Sequence, residues 1–153
     1  MNFELLKEEF EKAKGEYKND SPANLLKRPL IRAIIWDKTG GQCWYCGIEM
    51  NPFRDFSIDH FLPATKGGLE DFDNLVPCCR NCNNMKKNVS LERFRALLAH
   101  KLAGQPSFNS AQVIYLLKHG IELPLANAKS FRFYYEQFMG KKGEYLNSRK
   151  EVT

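Results

Sequence analysis

The sequence predicts an α+β fold, mostly α-helical, in which a small two-stranded core is clasped by cysteines and flanked by N- and C-terminal helices. Two Cys-x-x-Cys pairs frame two short strand-like runs, and apolar residues repeat at helical spacing on both sides of them. The 153 residues suffice for one self-supporting core. We therefore expect a single domain over 1–153, with its core at about 41–90 and helical support at 1–40 and 90–140.

Composition excludes several classes of protein. The chain is 43% hydrophobic and 27% charged, as folded globular proteins are, which argues against a disordered chain. No apolar run approaches the roughly 20 residues that a membrane-spanning helix needs. The first 20 residues are too polar for a secretory signal. We expect an intracellular, cytoplasmic protein without a membrane partner.

Two helices are predicted before the core. The first is amphipathic and ends at Ser21-Pro22, and its apolar residues are Phe3, Leu6, Phe10, Ala13 and Tyr17. The second begins at Pro29, because proline is tolerated in the first helical turn, and ends at Gly40-Gly41. Its buried residues are expected to be Leu30, Ile31, Ile34 and Ile35. Trp36 is expected to pack in the core.

The core reads as strand, loop, strand and short helix. Residues 56–60 alternate between apolar and polar, which is typical of a strand, and Leu75-Val76 forms a short second strand. The segment between them, residues 63–73, contains paired glycines and acids and is predicted to be a loop. A short helix from Arg80 carries Cys82 and Asn83.

Three further helices are predicted after the core. Ser90 is a suitable N-cap for the first, whose apolar residues are Leu91, Phe94, Leu97, Leu98 and Leu102. The second spans about Ser110–His119 and stops at Gly120, and the third spans about Ser130–Met139. The aromatic residues of the third helix could also serve a protein-interaction module, but at helical spacing such residues more often form core.

The cysteine spacing indicates a structural zinc site. A Cys-x-x-Cys turn presents two thiolates that fit one edge of a zinc tetrahedron, and two such turns can converge on one ion. Cys43, Cys46, Cys79 and Cys82 are the predicted ligands, and Cys78 is assigned to packing. Redox chemistry at the first pair is less favoured, because it expects a βαβ setting that this sequence lacks.

A second group of polar residues lies between and beside the cysteine pairs. Asp59 supplies a hard anionic oxygen and Asn83 a neutral carbonyl oxygen, the ligand types that magnesium prefers at phosphoryl-transfer sites. His60 is the candidate general base, since His100 and His119 fall near the ends of predicted helices. Neighbouring strand residues point to opposite faces. Either the strand ends or bulges at His60, or the two groups reach one phosphate from different sides.

These motifs together resemble the HNH endonuclease family in its four-cysteine zinc form, over about residues 28–90. The motifs that carry the resemblance are Cys43-x2-Cys46, Asp59-His60-x2-Pro63, Lys66-Gly67-Gly68, Asn74-Leu75, Cys79-x2-Cys82-Asn83 and Lys86. The resemblance implies a ββα-metal fold, in which two antiparallel strands and a helix are clasped by zinc.

The resemblance also implies the roles of the site residues. His60 would activate water, Asp59 and Asn83 would hold a catalytic Mg²⁺ or Mn²⁺, and Asn74 would brace the loop behind His60 through its amide. The last core position is often histidine in this family and is asparagine at Asn83 here, which shifts metal preference towards Mg²⁺ or Mn²⁺.

Basic residues are concentrated at and after the metal motif. Residues 80–101 carry six Lys or Arg against one acid, as a phosphate-binding surface would, although each could simply lie on a solvated face. The residues expected to contact phosphates are Lys66, Arg80, Lys86 and Lys87.

The sequence thus predicts a metal-dependent hydrolase of phosphodiester bonds with one active site per chain. The expected partner is nucleic acid, most simply double-stranded DNA, and the chain would act as a monomer or homodimer. The alternative is a zinc-stabilised nucleic-acid-binding module without catalysis, which would not need Asp59, His60 and Asn83 together.

Overall fold

The computed structural model describes residues 2–87, 89–104, 108–121 and 131–139. Its seven helices and two strands within these ranges are α1 (Phe3–Glu16), α2 (Pro22–Leu25), α3 (Pro29–Asp37), β1 (Phe56–His60), β2 (Leu75–Cys79), α4 (Arg80–Lys86), α5 (Leu91–Leu102), α6 (Ser110–Lys118) and α7 (Tyr134–Met139). A single 3₁₀ turn, Ala64–Lys66, lies in the segment predicted to be a loop. The predicted class, a mostly helical fold around a small two-stranded sheet with four clustered cysteines, is confirmed.

The sheet is an antiparallel pair, with Phe56 opposite Cys79 and His60 opposite Leu75. The second strand is longer than the predicted Leu75-Val76, because it continues through Pro77 to Cys79. Proline is tolerated there because its nitrogen and carbonyl lie on the outer side of a two-stranded sheet, where no ladder bond is lost. The Pro77 carbonyl instead accepts a hydrogen bond from the Trp44 N–H at 2.8 Å.

The two helices predicted before the core are α1 and α3. A four-residue helix, α2, lies between them, where only a break at Ser21-Pro22 was expected. The Asn2 side chain caps α1 by accepting from the Leu5 N–H, and Pro29 lies in the first turn of α3. Phe10 and Ala13 of α1 are buried, and α1 packs against α3.

The buried stripes of two predicted helices are narrower than expected. Ile31, Ile34 and Ile35 are buried in α3, but Leu30 is exposed; the same holds for Leu102 at the end of α5. Both residues lie in a terminal turn of their helix. The helical repeat alone does not show whether other parts of the protein cover that turn.

The C-terminal segment packs on the first cysteine turn. The N–H groups of Tyr134 and Tyr135 donate to the carbonyls of Tyr45 and Trp44, at 2.8 and 2.9 Å. The rings of Trp44 and Tyr135 stack at 5.3 Å. The predicted last helix starts at Tyr134 rather than near Ser130, a residue that lies outside those described. One connected hydrophobic cluster includes these residues together with α1, α3, the sheet and α5.

An ion pair fixes this segment to α5. Arg95 and Glu136 form two hydrogen bonds of 2.6 and 2.7 Å, and Glu136 also accepts from the Phe133 N–H at 2.9 Å. Burial alone would raise the pKa of Glu136, but the hydrogen bonds from Arg95 and Phe133 outweigh it and hold the pKa below the usual 4.5. The carboxylate therefore stabilises the fold above its unfolded-state pKa, and this contribution disappears as the pH falls through the lowered pKa.

We expect Glu136→Gln to lower the free energy of unfolding by roughly 1–3 kcal/mol, since charged hydrogen bonds are lost in a half-buried site. Because the titration lies below pH 4.5, the difference from the wild type should be the same at pH 7 and pH 5. Chemical denaturation at both pH values measures it. The control is Glu92→Gln, because the exposed Glu92 also contacts Arg95, at 3.4 Å, and should contribute little. Equal effects of the two substitutions would show that the Glu136 pair has no special role.

No helix among the described residues is long and apolar enough to cross a membrane.

Candidate functional site

The four predicted zinc ligands converge on one point. The sulfur atoms of Cys43, Cys46, Cys79 and Cys82 all lie within 4.8 Å of one another. Cys46 Sγ and Cys79 Sγ are 3.8 Å apart. Four sulfurs at the usual zinc–sulfur distance stand about 3.8 Å apart in a tetrahedron. The donor set therefore fits a closed structural zinc site.

The turns that carry these cysteines also direct N–H groups at the sulfurs. The Cys79 N–H points to Cys43 Sγ and the Cys82 N–H to Cys79 Sγ, each at 3.4 Å. Hydrogen bonds from the neighbouring thiols, that of Cys46 first, lower the pKa of Cys43, while the hydrogen bond with Cys43, and then those with Cys46 and Cys79, raise the pKa of Cys82. So closely spaced a group does not favour four thiolates when it is alone, and a divalent ion is what would allow all four to ionise.

Cys78 lies beside Cys43 but is not one of the four clustered sulfurs. Its thiol donates to the carbonyl of Cys79 at 3.2 Å, and the side chain is fully buried. Burial raises the pKa of Cys78 well above its ordinary value, so the group is a protonated packing residue.

Asp59 lies near the end of β1 in a partly buried polar contact. Its Oδ2 accepts from the Tyr45 hydroxyl at 2.7 Å and pairs with Lys86 Nζ at 3.0 Å. Burial first, and then the charge of Asp59, raises the pKa of Tyr45 well above its ordinary value, so the phenol stays protonated and donates. Lys86 Nζ also donates to the carbonyl of His60 at 3.1 Å. One ammonium group therefore joins α4 to both residues of the Asp59-His60 dipeptide.

His60 lies on the other side of the strand. Its Nε2 is 2.9 Å from Glu70 Oε1, and the two side chains are 20% and 24% exposed. β1 ends at His60, as one of the two expected arrangements has it, and it pairs regularly up to that residue without a bulge. Asp59 and His60 have different partners, because neighbouring residues of a regular strand face opposite sides of the sheet.

Asn74 is buried behind the loop that follows His60. Its amide donates to the carbonyls of Leu62 and Leu69, both at 3.0 Å, and accepts from the Leu62 N–H at 2.8 Å. A Cβ added at Gly68 would lie 1.7 Å from the Leu62 carbonyl oxygen and 2.8 Å from the Asn74 amide nitrogen. Only glycine allows the chain to pass this close, so Gly68 makes room for the Asn74 bonds.

We expect Asn74→Ala to cost about 2–4 kcal/mol of stability, because it leaves the buried main-chain N–H and carbonyl of Leu62 and the part-buried carbonyl of Leu69 without partners. Thermal or urea unfolding measures the loss. Asn51→Ala is a suitable control, since Asn51 makes comparable bonds to main-chain N–H groups at 2.9 and 3.1 Å but is exposed. If both variants lower the free energy of unfolding by the same small amount, the burial of Asn74 does not determine its contribution to stability.

Asn83 lies in α4 one turn before Lys86, and residues three apart are neighbours on a helix. Among the described residues, its side chain makes no hydrogen bond to another group, so its oxygen is available as a ligand. Helical spacing thus puts Asn83 on the face of α4 that carries Lys86, whose side chain meets Asp59.

The four residues expected to contact phosphates fall into two groups. Lys66, Arg80 and Lys87 are exposed, in the 3₁₀ turn, at the start of α4 and just after its end. Lys86 departs from the expectation, because its side chain is only 3% exposed and its charge is directed at Asp59. The seven-residue helix turns Lys86 inwards with Cys82, four positions earlier.

Two residues of this site were not predicted. Tyr45 lies inside the first cysteine turn, and Glu70 lies in the loop between the strands. An acid between Gly68 and Asn74 was a weak signal for Glu70, whereas nothing in the sequence distinguishes Tyr45 from a packing aromatic.

One protein-family model matches part of the chain. Residues 43–98 match the model of a family described as HNH endonuclease. The resemblance to the HNH endonuclease family is confirmed. The HNH segment starts at the first zinc-type cysteine and contains every candidate site residue, while α1, α2, α3, α6 and α7 lie outside it.

Solved structures and curated proteins add little to the HNH assignment. The chain is similar to the Type II-C Cas9 enzyme from Actinomyces naeslundii, at 19% sequence identity and a TM-score of 0.41. The similarity covers 95% of this chain and 14% of that enzyme, so the chain spans a small part of its length. No curated protein matches the chain.

Proposed function

We propose that the protein is an HNH-type endonuclease that hydrolyses phosphodiester bonds of double-stranded DNA, with His60 as general base and a divalent metal ion. The observation that carries this proposal is the contact of Lys86 with both Asp59 and the main chain of His60. That contact brings α4, with Asn83, to the end of the strand that holds the candidate base.

The residues at this point suit a hard divalent cation. Asp59 Oδ2 is occupied by the Lys86 ammonium, so Asp59 would offer a metal ion its other oxygen. Asp59 Oδ1 makes no hydrogen bond to another described residue, and Asn83 adds a second oxygen. Two protein oxygens leave positions for water and phosphate, as is usual for Mg²⁺. When bound, Mg²⁺ or Mn²⁺ would stabilise negative charge on the phosphoryl and leaving oxygens.

His60 supplies the proton acceptor in this proposal. A water molecule in line with the scissile bond gives a proton to the neutral imidazole as its oxygen attacks phosphorus. The bond from phosphorus to the 3′ oxygen breaks, and that oxygen leaves with the bonding electrons and is protonated by solvent. The products are a 5′ phosphate and a 3′ hydroxyl.

The exposed basic residues would hold the substrate. Lys66, Arg80 and Lys87 are exposed within the HNH segment and can contact phosphates on either side of the scissile bond. With one such site per chain, a monomer would cut one strand at a time, and a homodimer would be needed to cut both together. A structural zinc ion at Cys43, Cys46, Cys79 and Cys82 would hold the site together.

The test is cleavage of a labelled DNA duplex as a function of Mg²⁺ concentration, with duplex RNA of the same sequence in parallel. Asn83→Ala should require more Mg²⁺ and cut more slowly. Asn84→Ala is the matched control, because Asn84 is the next residue of the same helix and is exposed. Excess chelator added just before the DNA should stop cutting by all three proteins. Equal behaviour of the two variants would remove Asn83 from the site.

One observation favours the second candidate, a zinc-stabilised nucleic-acid-binding module without catalysis. Lys86 neutralises Asp59, and Glu70 pairs with His60, so both groups already have partners. A protein that shifts DNA in a gel but leaves DNA and RNA intact with Mg²⁺ or Mn²⁺ would support this candidate and rule out the nuclease.

A further inference from the structure

We propose that Glu70 is the positioning residue for His60: its carboxylate fixes the imidazole in one orientation and in the tautomer that leaves Nδ1 free to accept a proton. This inference rests on the proposed function. It assigns a role to a residue from the loop between the strands, and through that loop to α1, which lies outside the HNH segment.

The contact itself defines the tautomer. Glu70 Oε1 lies 2.9 Å from His60 Nε2. An ionised carboxylate can only accept, so the neutral imidazole must carry its proton on Nε2 and keep a lone pair on Nδ1. Both side chains are about four-fifths shielded from solvent, which limits competition from water. Carboxylates commonly fix catalytic and metal-binding histidines in this way.

Glu70 is itself held in place from several sides. Lys14 of α1 donates through Nζ to the Glu70 carbonyl at 2.7 Å. Lys7, also in α1, pairs with Asp73 at 3.1 Å, and the Asn74 amide binds the carbonyl of Leu69 at 3.0 Å. The loop is therefore fixed on both sides of Glu70, and the carboxylate reaches His60 from an anchored main chain rather than from a free one.

Glu70 would act only through His60. When water gives its proton to Nδ1, the hydrogen on Nε2 stays bonded to Nε2 and remains hydrogen-bonded to the Glu70 carboxylate. The required property of residue 70 is thus an oxygen that accepts from Nε2–H. Glutamine retains such an oxygen and alanine does not, so the pair of substitutions separates this role from a general loosening of the loop.

The first test reads the ring directly. The full chain is loaded with zinc, labelled with ¹⁵N at histidine and studied by NMR at a pH where the ring is neutral, without Mg²⁺ or DNA; His60→Ala assigns the signals. We expect His60 to be the Nε2–H tautomer in the wild type and in Glu70→Gln, and a mixture of tautomers in Glu70→Ala. An Nδ1–H tautomer in the wild type, or no change in Glu70→Ala, would overturn the inference.

The second test measures cleavage of duplex DNA. Glu70→Ala should lower kcat by about 10- to 100-fold with little change in KM, as loss of a residue that orients a ligand or base typically does. Glu70→Gln should recover most of the rate. Glu16→Ala, which removes an exposed acid at the end of α1, controls for net charge and should cut at the rate of the wild type.

The two tests distinguish failure of this inference from failure of the proposed function. If the wild type cuts and Glu70→Ala cuts equally well, or Glu70→Gln is as slow as Glu70→Ala, Glu70 does not position His60. If the wild type cuts no nucleic acid at all, the proposed function fails, and the NMR result alone decides whether Glu70 sets the tautomer.

Discussion

Replacing His60 with alanine should lower the rate of cleavage of bound DNA by about 10²- to 10⁴-fold, the usual contribution of a general base. The two other histidines cannot take over the role. His100 is buried in α5 and stacks on Phe108, and His119 follows α6, where its Nδ1 contacts the Tyr115 carbonyl at 2.8 Å. Single-turnover rates with protein in excess over DNA measure the effect without interference from product release.

The controls for this substitution are binding and an unrelated histidine. His60→Ala should bind the same duplex with the affinity of the wild type, because the phosphate contacts are assigned to Lys66, Arg80 and Lys87. His119→Ala should cut at the rate of the wild type, since His119 is exposed. Undiminished cleavage by His60→Ala would show that another group activates the water.

Loss of the zinc site should have the largest effect on stability. A structural zinc ion in a four-cysteine site contributes about 10–16 kcal/mol of binding free energy, which is as large as the whole folding free energy of a typical domain. We expect Cys43→Ser to lose zinc and to unfold the sheet and α4 together, because the four cysteines come from both the first turn and the start of that helix.

The matched control is Cys78→Ser, which changes a buried cysteine next to a ligand but outside the sulfur cluster. This variant should keep about one zinc ion per chain and lose only modest stability. Metal analysis by plasma emission and amide dispersion in NMR spectra measure both outcomes. Zinc bound by Cys43→Ser and lost by Cys78→Ser would reverse the ligand assignment.

The local parts of the fold followed from the sequence because each depends on neighbouring residues. Ser90 caps α5 through the Arg93 N–H, and Pro29 starts α3, as their residue types predict. The exact extent of β2 did not follow, since Pro77 argues against a strand unless it faces the open edge of the sheet. Which edge is open depends on a partner strand 20 residues away in sequence.

The candidate site was predictable as a set of motifs but not as a set of contacts. The spacing of the cysteines was enough to predict that their four sulfurs cluster. The partners of Asp59 and His60, however, come from the first cysteine turn, the loop and α4, and are set by how those elements pack. Lys86 is the clearest example. Whether a basic residue of a short helix is exposed or buried depends on how that helix is rotated against the sheet, and the sequence of the helix does not determine this rotation.

The most direct test of the account is a time course on supercoiled plasmid with zinc-loaded wild-type protein, started by adding Mg²⁺ or Mn²⁺. Open circles should form first and linear molecules only later, because one site cuts one strand, and the plasmid should stay intact until the metal is added. Plasmid that stays supercoiled with either metal, at a protein concentration that binds all of it, would contradict the assignment as a nuclease.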